Sequence, residues 1–285
     1  IEKKLVSRDG TVKYLYRLND GNIIEGAFMK QNYGNTLCVS TQVGCRMGCA
    51  FCASGIDGLI RNLTAGEILS QVLCVNRDAG GTKDKRAVTN IVLMGSGEPL
   101  DNYDEVTKFL RLVSSPDGLN VSERNISLST CGLVENVRRL ADDGFTLTLT
   151  FSLHATTDEY RKSIMPIANK YSIAEIVDAA KYYFEKTGRR VIFEYTMIKG
   201  VNINHFDAVR LCELTKGFPS HVNLIPLNPV KEKNLKGCTR EEGERFLRKL
   251  TEMGVSASIR KSKGADVGGA CGQLRRSYVG GDKYE

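Results

Sequence analysis

The sequence predicts an α/β protein built around a parallel sheet, and three observations lead to this fold class. Short apolar runs rich in β-branched residues alternate with helical patterns from residue 36 onward, as a series of six strand–helix units. Serine or threonine followed three residues later by glutamate marks several helix starts, and glycine marks several helix ends. Because parallel neighbours need helical crossovers, the pattern predicts either an open, doubly wound sheet or a curved partial barrel.

The elements can be placed along the chain from these signals. Two strands over 14–18 and 22–28 flank Asn19-Asp20-Gly21, which is a good hairpin signal. Further strands are predicted over 87–94, 126–129, 146–152, 191–197, 221–226 and 255–260. Helices are predicted over 64–76, 133–143, 172–188, 205–216 and 239–254.

Composition limits the function classes. The 285 residues, 41% of them hydrophobic, suffice for one domain with or without a small appendage. The chain contains no long apolar stretch and does not open on a signal peptide, so we expect a cytoplasmic protein without membrane contact. Nine cysteines without regular disulfide spacing fit a reducing compartment, and the net charge of +7 permits a polyanionic partner. Because the first residue is Ile1, we expect further residues upstream.

Three cysteines form the most informative motif. Cys45, Cys49 and Cys52 have the spacing C-x3-C-x2-C and directly follow the apolar run 37–43. Three thiolates on one loop can hold three irons of a [4Fe–4S] cluster and leave the fourth iron open to a small molecule. A structural zinc site would need a fourth ligand, often from a second C-x2-C pair, which the sequence lacks. The flanking glycines and polar residues disfavour ordinary core cysteines.

This motif, with Phe51 before the last cysteine, resembles the signature of radical S-adenosylmethionine (SAM) enzymes. The resemblance implies a partial (β/α)6 barrel in which the cluster loop follows the first strand. It also implies that SAM binds the open iron and that one electron from an external donor splits it into methionine and a 5′-deoxyadenosyl radical. In such folds the active site lies at the carboxyl ends of the strands.

Residues at those strand ends match the SAM contacts of the superfamily. Gly97 and Glu98 belong to Gly95-Ser96-Gly97-Glu98-Pro99, which taken alone is as consistent with a plain tight turn. The other matching residues are Ser129, Ser152, Leu153, His154 and Asn228. Hydroxyl, amide and imidazole groups suit a ribose and a carboxylate, although a lone histidine at a strand end is more often a satisfied core residue.

The resemblance extends over residues 25–274 to the adenine-C2 methyltransferases of the RlmN type and the related Cfr enzymes, which methylate carbon 8. Its most specific part is Gly269-Ala270-Cys271-Gly272-Gln273-Leu274. Taken alone, Cys271 is either a candidate nucleophile or a flexible tail thiol. Cys271 and Cys38 match the two catalytic cysteines of the family that do not bind the cluster.

The resemblance implies a carrier mechanism with two SAM molecules per turnover. Cys271 takes a methyl group from one SAM, and the radical from the second SAM removes hydrogen from that methyl group, which then adds to carbon 2 of adenine. Attack of Cys38 on Cys271 releases the methylated base and leaves a transient disulfide for an external reductant. Glu25 matches a family glutamate proposed as the proton acceptor, and the alternative is an ordinary exposed strand glutamate.

The implied partners are 23S rRNA, at its peptidyl-transferase region, and tRNA, at adenosine 37. The target base must leave its stack to react. Basic residues could meet phosphates or simply be solvated: Arg189, Arg190, Arg260, Lys261, Lys263, Arg275 and Arg276. The accessory helical domain of the family is not seen in the sequence. We therefore expect a monomer in which 1–35 form an N-terminal β-hairpin extension and 36–285 form a radical SAM core with a C-terminal catalytic loop.

Three alternatives remain open. Pro99 and the run Ile225-Pro226-Leu227-Asn228-Pro229 favour methylation at carbon 2, but a Cfr-type carbon-8 enzyme has the same core. An iron–sulfur protein that binds RNA without catalysis explains the charge and the cluster motif, but it leaves Cys38 and Cys271 unexplained. A radical SAM enzyme that acts on a peptide or small metabolite fits the core and leaves the C-terminal motif unexplained.

Overall fold

The computed structural model describes residues 1–227, 235–261, 263–267 and 272–279. Two of the candidate site residues, Asn228 and Cys271, lie outside these ranges. The chain divides into two compact units. Unit 1 comprises Ile1–Gly48, Cys52–Ser129 and Ser262–Glu285, and unit 2 comprises Cys49–Phe51 and Thr130–Lys261. Each unit contains parallel strands and helices, which confirms the predicted α/β class.

Unit 1 begins with an antiparallel sheet. Its strands are β1 (Lys3–Val6), β2 (Val12–Arg17), β3 (Ile23–Gln31) and β4 (Gly34–Cys38), each paired with the next. The hairpin predicted from Asp20-Gly21 is confirmed, with Arg17 opposite Ile23. Neither β1 nor the return strand β4 was predicted as a separate strand. Because β3 continues into β4, the N-terminal hairpin shares one sheet with the strand that leads to the cysteine motif.

Parallel pairing starts after this hairpin. The short strands β5 (Gln42–Gly44) and β6 (Leu59–Asn62) form a separate two-stranded antiparallel sheet around the cysteine loop. Helix α1 (Ala65–Asp78) begins at the predicted capping box of Thr64 and Glu67. It is followed by β7 (Asn90–Leu93), α2 (Tyr103–Ser114) and β8 (Ile126–Thr130). Strand β4 pairs in parallel with β7, and β7 pairs in parallel with β8.

Unit 2 continues the strand–helix alternation. Its elements are α3 (Val134–Asp142), β9 (Thr148–Ser152), α4 (Asp158–Ile164), α5 (Ile173–Thr187), β10 (Val191–Met197), α6 (His205–Thr215), β11 (Ser220–Pro226), α7 (Arg240–Glu252) and β12 (Ala257–Ile259). Strands β9 to β12 pair in sequence order, all in parallel. The predicted capping boxes at Ser172 and Thr239 are confirmed. The short helix α4 was not predicted.

The last described helix, α8 (Gln273–Val279), belongs to unit 1 and lies on the N-terminal sheet. Its Leu274 packs against Leu15 and Ile23, and all three side chains are buried. Helix α8 therefore covers the face of β2 and β3 that an isolated hairpin would expose to solvent. Among the described residues, no helix has both the length and the apolar character needed to cross a membrane.

Candidate active site

The three cysteines of the motif lie on the loop between β5 and β6. Cys45 follows β5 directly and is buried, whereas Cys49 and Cys52 are partly exposed. The amide of Cys45 donates to the carbonyl of Gly58 at 2.9 Å, which closes the loop at its base. Gly44 has φ +79°, and a Cβ there would lie 2.0 Å from the Gly58 oxygen. Only glycine allows the two ends of the loop to approach this closely.

The chemistry of these donors fits an iron–sulfur cluster. Burial, with smaller contributions from the nearby Glu98 and Cys52, raises the pKa of the Cys45 thiol to about 12. The raised pKa favours the protonated thiol. Metal coordination favours the thiolate instead, because a bound cation deprotonates a coordinating thiol. In the part of the chain that the structure describes, no three Cys, His, Asp or Glu side chains converge on a single ion. A cluster makes no such demand, since each thiolate binds a different iron.

The glycine-rich segment after β7 lies against Ser40, which follows β4, and Gln42, the first residue of β5. The Ser96 amide donates to Ser40 Oγ at 2.9 Å, and the Glu98 amide donates to Gln42 Oε1 at 2.8 Å. Gly97 has φ +110°, and a Cβ there would lie 2.6 Å from that of Gln42. The Glu98 side chain is 4% exposed. Gly97 and Glu98 are thus fixed beside the chain that enters the cysteine loop, and they place a buried carboxylate there.

His154 follows β9 in a constrained geometry. It has φ 58°, which is uncommon for a residue other than glycine. Its Nδ1 accepts a hydrogen bond from the Thr196 amide at 3.0 Å, and its carbonyl accepts from Asn202 Nδ2. The ring meets Phe51 of the cysteine motif edge-on, at a centroid distance of 4.5 Å. Burial lowers the pKa of His154 to about 3, so the ring is neutral and carries its proton on Nε2.

This burial predicts a pH-dependent stability. The folded-state pKa of His154 lies below the ordinary value near 6.5, so the unfolded chain binds the proton more readily. Stability from this group is complete above pH 6.5 and falls as the pH drops toward 3, by up to about 1.4 kcal/mol per pH unit. We expect His154→Asn, which tolerates positive φ, to flatten the melting temperature between pH 7 and 4. An unchanged pH profile in the variant, measured by thermal denaturation, would contradict this assignment.

A buried arginine that the sequence analysis missed holds the carboxyl end of β9. Arg161 on α4 is fully buried. Its guanidinium donates to the carbonyls of Cys131 at 2.7 Å and of Ser152 and Leu153 at 3.2 Å. A charged residue in a short polar helix gives no sequence signal of burial. The predicted site residues Ser152 and Leu153 are therefore fixed through their backbone, and Ser129 lies partly exposed near the end of β8.

The candidate catalytic residues of unit 1 lie on β3 and β4. Cys38 is the last residue of β4 and is 9% exposed. Glu25 on β3 is 2% exposed, so the alternative of an ordinary exposed strand glutamate is wrong. Its carboxylate forms an ion pair with Lys13 at 2.9 Å. Arg275 is also buried and donates from Nε to the Ile23 carbonyl, so its guanidinium is not a solvated surface group.

Comparison with known proteins defines the class. The model of the radical SAM superfamily matches residues 39–211. A solved structure, a radical SAM methyltransferase from Sphaerobacter thermophilus, superposes with a TM-score of 0.91 at 43% identity, covering 95% of this chain and 79% of that one. Streptococcus suis SuiB, a more distant structure, has a TM-score of 0.58 at 16% identity over 79% of this chain and 50% of its own, which shows a shared fold alone.

Curated relatives narrow the class further. A protein of Clostridium perfringens (strain SM101 / Type A) named "Probable dual-specificity RNA methyltransferase RlmN" is 57% identical over 96% of this chain and 77% of its own length. A protein of the same name from Clostridium novyi (strain NT) is 50% identical over 98% of this chain and 80% of its own. The chain belongs to the radical SAM superfamily and, within it, to the RlmN family of RNA methyltransferases. The superfamily uses a [4Fe–4S] cluster and SAM, as predicted from the cysteine motif.

Proposed function

We propose that this radical SAM RNA methyltransferase methylates carbon 2 of adenosine, in the peptidyl-transferase region of 23S rRNA and at position 37 of tRNA. Cys271 is the methyl carrier, and Cys38 is the thiol that releases the product. The observation that supports this most directly is that Glu25 is hydrogen-bonded to residues close in sequence to both cysteines. Its carboxylate accepts from the amide of Gly272, the residue after Cys271, and its carbonyl accepts from Ser40, two residues after Cys38.

The residues around the cysteine motif would bind SAM and the cluster. Cys45, Cys49 and Cys52 would each hold one iron, and the bound cluster supplies the electron that cleaves a second SAM to a radical. The buried Glu98 carboxylate is suited to accept hydrogen bonds from the SAM ammonium group. Hydroxyl and imidazole donors near the strand ends suit the carboxylate and ribose of SAM, and the proposed set is Ser129, Ser152, Leu153, His154 and Asn228.

The two proposed catalytic cysteines, Cys38 and Cys271, explain how an electron-poor carbon can be methylated. The thiolate of Cys271 attacks the methyl group of one SAM, which forms a carbon–sulfur bond on Cys271, breaks the bond to the SAM sulfur and releases S-adenosylhomocysteine. The 5′-deoxyadenosyl radical would remove hydrogen from this methyl group, and the resulting carbon radical would add to carbon 2. The adduct would then give up its unpaired electron, for which the oxidised cluster would be the acceptor, and the proton of carbon 2. Cys38 then attacks the Cys271 sulfur. A disulfide forms as the bond to the transferred carbon breaks, and that carbon takes up a proton. An external reductant then supplies two electrons to open the disulfide, and either Cys38 or Glu25 takes the proton lost from carbon 2.

Nucleoside mass spectrometry tests the proposal. Anaerobically reconstituted protein is incubated with SAM, a reductant and unmodified 23S rRNA fragments or tRNA, and the RNA is then digested. We expect 2-methyladenosine in both substrates. A main product of 8-methyladenosine would contradict the carbon-2 assignment and favour the Cfr-type alternative. RNA that binds but stays unmethylated would favour an iron–sulfur RNA-binding protein. We propose a monomer located in the cytoplasm, where both RNAs are found.

A further inference from the structure

The buried ion pair of Lys13 and Glu25 is the starting point. Lys13 on β2 and Glu25 on β3 are diagonal neighbours on one face of the sheet, and their side chains are 3% and 2% exposed. Lysine and glutamate are rarely buried this completely in a small hairpin. Two charges in such a place need partners beyond each other, because desolvation is otherwise too costly. The sheet alone does not explain why these residues stand there.

The additional partners come from the C-terminal segment. Glu25 Oε1 accepts from the Gly272 amide at 2.7 Å, and Oε2 accepts from the Arg275 amide at 2.9 Å. The Gly272 amide directly precedes α8, and the Arg275 amide belongs to its first turn, where backbone donors have no partner within the helix. Arg275 adds a second attachment, from its Nε to the carbonyl of Ile23 at 2.7 Å. Gly272 and the start of α8 are thus bound to β3 by both side-chain and backbone groups.

Gly272 also lies against the cysteine loop. A Cβ on Gly272 would lie 2.6 Å from the backbone nitrogen of Ser54, two residues after Cys52. Gly272 has φ +80°, so both its conformation and its surroundings require glycine. The Glu25 hydrogen bond therefore holds Gly272 at one defined place beside the loop. Gly272 directly follows Cys271 in the chain.

We infer that Lys13 and Glu25 are positioning residues: they hold Gly272 and the start of α8, which directly follow the methyl-carrying Cys271 in the chain, against the cysteine loop. This inference rests on the proposed function, since it is Cys271 that makes the position of the segment matter. It also assigns Glu25 a role other than proton acceptor. Both oxygens of its carboxylate already accept hydrogen bonds from the protein: Oε1 from Lys13 and the Gly272 amide, and Oε2 from the Arg275 amide.

The test compares Glu25→Gln and Lys13→Met with the control Lys4→Met. Lys4 forms an exposed ion pair with Asp78 and lies on the opposite face of the same sheet from Lys13. Amide hydrogen exchange of residues 272–279 is measured in the reconstituted full chain. We expect exchange to rise at least about tenfold in the first two variants, the scale of one charge-assisted hydrogen bond, and to stay unchanged in the control. Equal protection in all variants would overturn the inference.

Transfer of labelled methyl from SAM to Cys271 separates positioning from proton transfer. A positioning role predicts that this first step slows about tenfold in Glu25→Gln, in line with the loosened segment. A proton acceptor is needed only after the base has reacted, so normal labelling of Cys271 with loss of RNA methylation would overturn the inference. If Glu25→Gln does not fold, the double variant Lys13→Met/Glu25→Gln, which removes both buried charges, takes its place.

The two measurements also distinguish the failure of the inference from the failure of the proposed function. A wild-type protein that places no label on Cys271 would refute the carrier mechanism. With that mechanism refuted, Glu25 would position no methyl carrier, and the inference would be overturned with it. Labelled wild-type protein with unchanged exchange in the variants would overturn the inference alone.

Discussion

Replacing Cys271 by alanine is expected to abolish RNA methylation, by more than about 10³-fold, the scale on which loss of a nucleophile lowers enzymatic rates. The physical reason is that carbon 2 of adenine is too electron-poor to attack the methyl group of SAM, so no direct route replaces the carrier. The variant should retain its iron, its visible absorption and its reductive cleavage of SAM, because the proposed cluster ligands are Cys45, Cys49 and Cys52. Methyl incorporation into RNA and release of 5′-deoxyadenosine, measured in parallel, check the result.

Cys74→Ala is the matched control for this variant. Cys74 is exposed on α1 and has no proposed part in the chemistry, so its replacement should leave methylation unchanged. Loss of methylation in both variants would point to a general effect of thiol removal. Full methylation by Cys271→Ala would contradict the carrier mechanism and leave a radical SAM enzyme with another route to its product.

Replacing Arg161 by methionine is expected to lower the free energy of unfolding by about 3 kcal/mol, since each buried acceptor left without its donor costs about 1–3 kcal/mol. The guanidinium donates to four backbone carbonyls, those of Cys131, Ser152, Leu153 and Tyr171. Methionine fills a similar volume but donates to none of them, and buried acceptors without partners are costly. Chemical denaturation followed by circular dichroism measures the loss.

Arg161→Lys separates charge from hydrogen-bond geometry. Lysine keeps the positive charge, but its single ammonium group cannot reproduce the planar arrangement of donors, so we expect an intermediate loss of stability. Because two of the acceptors are Ser152 and Leu153, both variants should also weaken SAM binding. Wild-type stability in Arg161→Met would show that these hydrogen bonds contribute little.

Local signals account for what the sequence could predict. Each capping box, at Thr64, Ser172 and Thr239, pairs a residue with a glutamate only three positions further on, so it can be recognised in the sequence alone. The hairpin at Asp20-Gly21 is equally local. By contrast, β5 has three residues and β1 has four, too few to establish a periodic pattern.

The contacts that define the candidate site are long-range and gave no such signal. Glu25 and Gly272 are 247 positions apart, and neither residue type reveals that their atoms meet. Arg161 looks like a solvent-facing residue of a polar helix until the backbone carbonyls of Cys131 and Ser152 are found around it. The candidate site residues can be identified from the sequence motif of the family, whereas the contacts that hold them in place can be identified only from the structure.

The most direct test of the carrier mechanism is to locate the methyl group before any RNA is added. The reconstituted wild-type protein is incubated anaerobically with SAM bearing a labelled methyl group, digested, and mapped by peptide mass spectrometry. The carrier mechanism predicts one labelled methyl group on the peptide that contains Cys271 and none on the peptide that contains Cys38. An unlabelled Cys271 in protein that holds its cluster and still cleaves SAM would contradict it.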